Sequence, residues 1–240
     1  MNKVDIRGID LLAAKNQDEL VDFLFHQGEV KTGQLIAINA EKVVLSDEQP
    51  KIKALLQQAE YKYADGISVV YSVRKKYPQY QTIERIAGAD LWQALMKRAG
   101  ELNIPVFLIG GSADTLCRTI EKLALWQVNI VGSQDGYFSA EQEEDLIHKI
   151  AQSGAQLVTV ALGSPKQELF IQKARQYYSQ ALYMGVGGSY DVFVGKVKRA
   201  PAGWQKLGLE WLYRLLQQPT RWKRQKRLLK YFYYYLTNQL

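Results

Sequence analysis

Three aspartates stand where a carboxylate could act as a base. Asp65 lies in Tyr63-Ala64-Asp65-Gly66, Asp90 in Ala87-Gly88-Ala89-Asp90, and Asp191 at the end of Met184-Gly185-Val186-Gly187-Gly188-Ser189-Tyr190-Asp191. A general base needs a carboxylate with access to a cleft, whereas the plain structural role for Asp65 is a helix N-cap. Asp191 follows two glycines at a strand end, a natural place to meet a ribose or a base. Glycines recur in the loops Gly110-Gly111-Ser112, Ser133-Gln134-Asp135-Gly136-Tyr137 and Gly163-Ser164-Pro165. Such loops let backbone approach phosphates, and the helices after them offer unpaired N–H groups to an anion. No G-x-x-x-x-G-K-[ST] is present and no G-x-G-x-x-G follows a strand, which argues against an ordinary ATPase or dinucleotide enzyme. The pattern fits a binder of nucleotides or phosphosugars.

Other chemistry is thinly represented. His26 and His148 are far apart in polar stretches and read as surface residues. No Cys/His or clustered acid set has metal-ligand spacing, and no D-x-D follows a strand, so neither metal nor cofactor is expected. The single cysteine, Cys117, reads as a packing residue and cannot form an internal disulfide.

The elements that must hold these residues alternate regularly. Pro105–Ile109, Val128–Val131, Leu157–Leu162 and Ala181–Val186 read as short apolar strands, and Leu35–Ile38 as another. Helical patterns cover Pro50–Ala59, Ile67–Lys75, Ala89–Glu101, Ala113–Trp126, Glu141–Gln152 and Lys166–Tyr177. Apolar strands alternating with helices imply an α/β fold: a Rossmann-like parallel sheet with helices on both faces. In such sheets ligands bind beyond the carboxyl ends of the strands, where the glycine loops fall.

The 240 residues carry a formal charge of +7, unevenly placed. From Lys196 to Leu240 there are eleven Lys/Arg and one acid, Glu210, so the preceding body is mildly acidic. We therefore divide the chain into an α/β core, 1–195, and a basic helical appendage, 196–240. The appendage ends in Arg221 to Lys230 followed by Tyr231-Phe232-Tyr233-Tyr234-Tyr235. A basic helix rich in aromatics suits the plane of an anionic membrane surface, and a nucleic-acid-binding tail is the rival reading. The N-terminus has no apolar signal region, and no stretch reaches roughly 18 uncharged apolar residues. The expectation is a cytoplasmic protein, peripheral on the inner face of the cell membrane.

Eight ordered segments resemble the WecG/TagA/CpsF glycosyltransferase family over nearly the whole chain. They are Ala37-Ile38-Asn39-Ala40-Glu41-Lys42, Tyr63 to Val70, Arg85 to Leu91, Gly132 to Phe138, Leu162-Gly163-Ser164-Pro165-Lys166-Gln167-Glu168, Met184 to Asp191, Lys198-Arg199-Ala200-Pro201, and Gly208 to Leu215. The motifs are nearest those of members that transfer N-acetyl-D-mannosaminuronate in enterobacterial common antigen synthesis. The resemblance implies a UDP-sugar donor, an undecaprenyl-diphosphate-linked GlcNAc acceptor, inversion at the anomeric carbon and no metal. Nucleic acid is not among the implied partners, and self-association is left open. It implies that Asp65 deprotonates the acceptor, Gln167 positions substrate, and Arg214, Arg221 and Arg224 close over the diphosphate. Asn39, Asp90, Tyr137, Gly187, Gly188 and Asp191 fall on the substrate-binding side, with Tyr137 and Asp191 at UDP. Teichoic-acid members often have Thr where this chain has Ala37, which removes a hydroxyl contact. Lys42 in the same segment is expected to meet the carboxylate of a uronate donor.

Overall fold

The computed structural model describes residues 1–201, 203–204, 212–213 and 222–240. Two antiparallel hairpins come first: β1 (Lys3–Ile6) with β2 (Ile9–Leu12), and β3 (Phe25–His26) with β4 (Glu29–Val30). Six further strands follow: β5 (Gly33–Ile38), β6 (Tyr61–Ala64), β7 (Val106–Gly110), β8 (Ile130–Gln134), β9 (Leu157–Ala161) and β10 (Leu182–Gly185). They form one sheet in the order β6-β5-β10-β9-β7-β8, with every pair parallel. Parallel strands put all their carboxyl ends on one rim. The described helices are α1 (Gln17–Leu24), α2 (Ala40–Glu48), α3 (Pro50–Gln58), α4 (Ile67–Lys76), α5 (Gly88–Glu101), α6 (Ala113–Ala124), α7 (Ala140–Gln152), α8 (Lys166–Tyr177), α9 (Ser189–Phe193) and α10 (Trp222–Leu236).

Strand alternation sends side chains to two cores. Leu35, Val106, Leu108, Leu157, Leu182 and Met184 face α1, α5 and α6, whose Leu20, Leu24, Leu91, Trp92, Leu95 and Leu116 are buried with them. On the other face, Phe107, Ile109, Val158, Val160 and Tyr183 meet α7 and α8. Ile36, Ile38 and Ala64 meet α2, α4 and the β1–β2 hairpin. A sheet buried on both faces explains why its central strands read as unbroken apolar runs.

Local chemistry sets the helix starts. Asn39 and Ser112 accept from the backbone N–H groups of Lys42 and Thr115, capping α2 and α6. Ser139 and Gln142 form a reciprocal capping box on α7, and Pro50 opens α3.

The expected strand at Val128–Val131 is shifted to Ile130–Gln134. Gln127 turns through φ 55° and Val128 N–H returns to Leu123 O, so these residues still finish α6. Ser133 and Gln134, read as loop from their polarity, pair with Leu108 and Ile109 at the sheet edge. A further correction concerns Cys117, which is exposed on α6 rather than packed inside.

Candidate functional site at the strand ends

The rim can be followed from one sheet edge to the other. At the end of β6, the Asp65 backbone N–H donates to Ile38 O at 3.0 Å, keeping the turn beside β5. Its side chain does not cap the helix that follows, because the N-cap of α4 is Gly66, without a side-chain bond. Instead Asp65 Oδ1 accepts from Gly88 N–H at 3.1 Å, one of the unpaired donors opening α5. Arg85 Nε donates to Asp65 O at 2.6 Å, and its guanidinium stands 3.8 Å from Oδ1. The carboxylate is thus fixed yet 26% exposed. The Tyr63 hydroxyl, buried with no hydrogen-bond partner among the described residues, lies against Gly88. Burial, with the Asp65 charge second, pushes its pKa well above the usual value, so it stays a neutral phenol.

Beside Asp65 the β5 end supplies Asn39. A Cβ on Gly66 would stand 3.2 Å from Asn39 Cα, so the two turns touch. Lys42, on the first turn of α2, is paired within the protein. Its ammonium donates to Glu168 Oε1 at 2.9 Å, and the side chains are only 15% and 5% exposed. Burial pushes the Glu168 carboxyl up, but the charge and hydrogen bond of Lys42 outweigh this and hold it below the usual carboxylate value. Lys42 therefore ties α2 to α8.

Gln167, next to Glu168, is also buried. Its Oε1 accepts from Gly187 N–H at 3.0 Å, and its Nε2 lies 3.4 Å from Glu168 Oε1. A Cβ on Gly185 would come within 2.4 Å of Gln167 Nε2, so glycine is needed for this approach. Gly187 turns through φ 52°, and Cβ atoms added at Gly187 or Gly188 would meet nothing within 4 Å. The loop is pinned from below and open above.

Further along, the connections leaving β9 and β7 run to opposite sides of the sheet, toward β10 and β8. In open α/β sheets such a reversal is where ligands bind, and here it falls between the loops Gly110-Gly111-Ser112 and Gly163-Ser164-Pro165. Gly136 N–H donates to Gly111 O at 2.8 Å, bringing the β8 loop alongside. Tyr137 follows it and is 83% exposed. Asp191 Oδ1 accepts from Thr115 Oγ1 at 3.1 Å and lies 3.9 Å from Lys196 Nζ. Asp90, in the first turn of α5, is held by both terminal nitrogens of Arg199, which makes it an anchor for the segment after α9.

The rim thus brings Asp65, Asn39, Gln167, Gly187 and Gly188 to neighbouring strand ends, linked through Gly66, Lys42 and Glu168, while Tyr137 and Asp191 stand on the β7–β8 side. Arg214 and Arg221 lie outside the described residues, as does the side chain of Arg224 on α10. Arg85, Glu168 and Arg199 stand in recognisable motifs, yet their partners lie 20, 126 and 109 positions away in sequence, which no local pattern signals. The arrangement suits transfer to a hydroxyl: a fixed carboxylate to take a proton, with guanidinium and backbone N–H groups nearby to meet a departing anion.

The aromatics of the C-terminal helix divide between two surfaces. Tyr231 and Tyr234 are buried among α2, α4 and the first hairpin, with the Tyr231 hydroxyl 2.7 Å from Ser72 Oγ. Arg227 and Lys230 bind Glu48 of α2 at 3.1 and 3.0 Å. Leu229, Phe232, Tyr233 and Leu236 form a second, exposed stripe at helical spacing. No described helix is long and apolar enough to cross a membrane.

A groove of about 260 Å³ lies apart from the rim, lined by Gly8, Ile9, Asp10, Lys53, Leu56, Gln57 and Lys62. None of these residues belongs to a strand-end loop.

Comparison with known protein families gives a match over residues 4–240 to the model described as the glycosyl transferase WecG/TagA/CpsF family.

Proposed function

We propose, because the chain belongs to the glycosyl transferase WecG/TagA/CpsF family, that it moves N-acetyl-D-mannosaminuronate from UDP to undecaprenyl-diphosphate-linked GlcNAc. A glycosyltransferase of this family takes a sugar donor and an acceptor; the particular pair is our reading. Asp65 removes the proton of the acceptor hydroxyl as its oxygen attacks the anomeric carbon. The bond from that carbon to the diphosphate breaks, UDP leaves with the electron pair, and the configuration inverts. Gln167 fixes the Gly187-Gly188 loop against the donor, with Tyr137 and Asp191 at the nucleotide. Arg214, Arg221 and Arg224 meet the charge that develops on the diphosphate, the work a metal would otherwise do.

The observation that carries this reading is Asp65, a partly exposed carboxylate at a strand end, clamped by Gly88 N–H and Arg85. The exposed stripe of α10 supports docking at a bilayer. Leu229, Phe232, Tyr233 and Leu236 would enter the headgroup region beside exposed Lys226, placing the enzyme where a polyprenol acceptor lies.

The test is a donor screen with a lipid-linked GlcNAc acceptor, run with and without EDTA. We expect transfer from UDP-N-acetylmannosaminuronate at a kcat/KM at least about tenfold that from UDP-N-acetylmannosamine, a discrimination within reach of one charged group. EDTA should leave the rate unchanged. Preference for the uncharged donor would move the enzyme to the teichoic-acid type. Transfer from neither would sink the reading.

A further inference from the structure

One buried ion pair at the rim does something the proposed transfer steps leave unused. Lys42 and Glu168 come from the first turns of α2 and α8, which follow β5 and β9. Between those strands in the sheet lies β10, whose Gly187-Gly188 loop must face the donor. Lys42 N–H donates to Asn39 Oδ1, Lys42 Nζ to Glu168 Oε1, Gln167 Nε2 to the same Oε1, and Gly187 N–H to Gln167 Oε1. Asn39 in turn packs on Gly66, next to Asp65. One continuous set of contacts therefore runs from the β6 end, through β5 and β9, to the β10 loop.

A pair this deeply covered is a poor device for stability alone. Removing two charges from water costs several kcal/mol, and a well-packed apolar pair of similar volume is often as stable or more so. What the pair supplies that an apolar contact cannot is direction. The charged Oε1 is a fixed acceptor that sets the Gln167 amide, which then presents its own oxygen to Gly187 N–H.

We propose that Lys42 and Glu168 form a positioning pair, acting through Gln167 to hold the Gly187-Gly188 loop in its donor-facing shape. The role rests on the glycosyl-transfer reading for its kinetic consequence, but not for its structural one. Neither residue touches the reacting atoms.

The test compares the wild type with the apolar double variant Lys42→Met/Glu168→Leu and with Lys42→Arg. Three quantities are measured on the full chain: thermal midpoint, steady-state kinetics, and amide hydrogen exchange of the segment containing Gly187. The double variant should melt within a few degrees of the wild type. Its Gly187 segment should exchange at least about tenfold faster, and kcat should fall at least about tenfold with donor KM changed less than about threefold, the pattern of lost transition-state placement. Lys42→Arg, which keeps the charge, should recover most of both. Wild-type exchange and wild-type kcat in the double variant would overturn the proposal. If the wild type itself transfers no sugar, the functional reading fails, and exchange at Gly187 still decides whether the pair positions the loop.

Discussion

The two halves of the rim are built differently. On the β6–β5–β10–β9 side, Asn39, Gln167 and Gly187 are joined by a chain of hydrogen bonds and one buried ion pair, and Asp65, bonded to Gly88 N–H, adjoins it where Gly66 packs on Asn39. On the β7–β8 side, Tyr137 is 83% exposed and its loop is held mainly by backbone, with Gly136 N–H on Gly111 O and Tyr137 N–H on Asp135 Oδ1. Bond making tolerates misplacement of a fraction of an ångström at most, and the interlocked half holds the groups we assign to it. Binding a nucleotide needs room, and the open half is where we propose the nucleotide enters. The contrast teaches where stiffness matters to such a transferase.

The contrast breaks most visibly at Asp65. Asp65→Asn keeps the acceptor of the Gly88 bond, so the fold should survive while turnover falls by about 10²–10⁴, the scale of a lost general base. Circular dichroism and a turnover assay check this, and near-normal turnover would leave Asp65 as a support for α5 only. Gly185→Ala should come next. Its new Cβ lies 2.4 Å from Gln167 Nε2, and such overpacking costs about 1–3 kcal/mol. By comparison, Gly188→Ala, with open space around it, should shift stability by no more than about 0.5 kcal/mol. Equal destabilisation of the two in urea titration would mean that the loop is not pinned from below.

Acid and salt sharpen the same distinction between covered and exposed pairs. Hydrogen bonds from Lys230 and then Arg227 hold the Glu48 carboxyl below its usual pKa. Its contribution to docking α10 is therefore present above the ordinary carboxylate range and is lost as pH falls through the lowered value. Because this pair is exposed, high salt should weaken it at neutral pH, while Lys42–Glu168 is screened far less. Fluorescence of the α10 tyrosines and exchange at Gly187, followed against salt, report the two separately; parallel responses would contradict the assignment. The smallest effect is expected at Tyr137. Tyr137→Ala should change stability by less than about 0.5 kcal/mol while weakening UDP binding, measured by calorimetry, about tenfold or less.

The legible part of the fold is the part with regular apolar periodicity. Strands β7, β9 and β10 and helices α3 to α8 lie within a few residues of the pattern read from sequence. What escaped has a physical reason. β6 carries Lys62, a buried lysine on the face where an apolar residue would be read, with its ammonium on Ala59 O at 2.7 Å. β1 and β2 are too short for alternation to register, and α2 is polar on one side and starts directly from a strand. At the site, the glycine loops could be found because they follow apolar strands, and Asp65 could be found from the Tyr63-Ala64-Asp65-Gly66 segment before a helical pattern and from the family resemblance. Glu168 could not, since an acid in the first turn of a helix is ordinary dipole chemistry, and only the fold brings Lys42 to it.

The first hairpin and the last described helix share one core: Val4, Ile6, Ile9 and Leu11 are buried with Tyr231 and Tyr234. Arg7 stands over the Tyr234 ring at 3.7 Å and donates to Gln239 O, a contact between residues 232 positions apart. Contacts of such sequence separation close late, because the intervening chain must be ordered first. During synthesis, the hairpin and the outer faces of α2 and α4 emerge well before α10 and keep their apolar surface uncovered until it arrives. The rim, by contrast, draws its described contacts from residues 38 to 199 and can assemble beforehand. Maturation of this molecule should therefore have two stages, with the strand-end machinery in place before the chain's two ends meet.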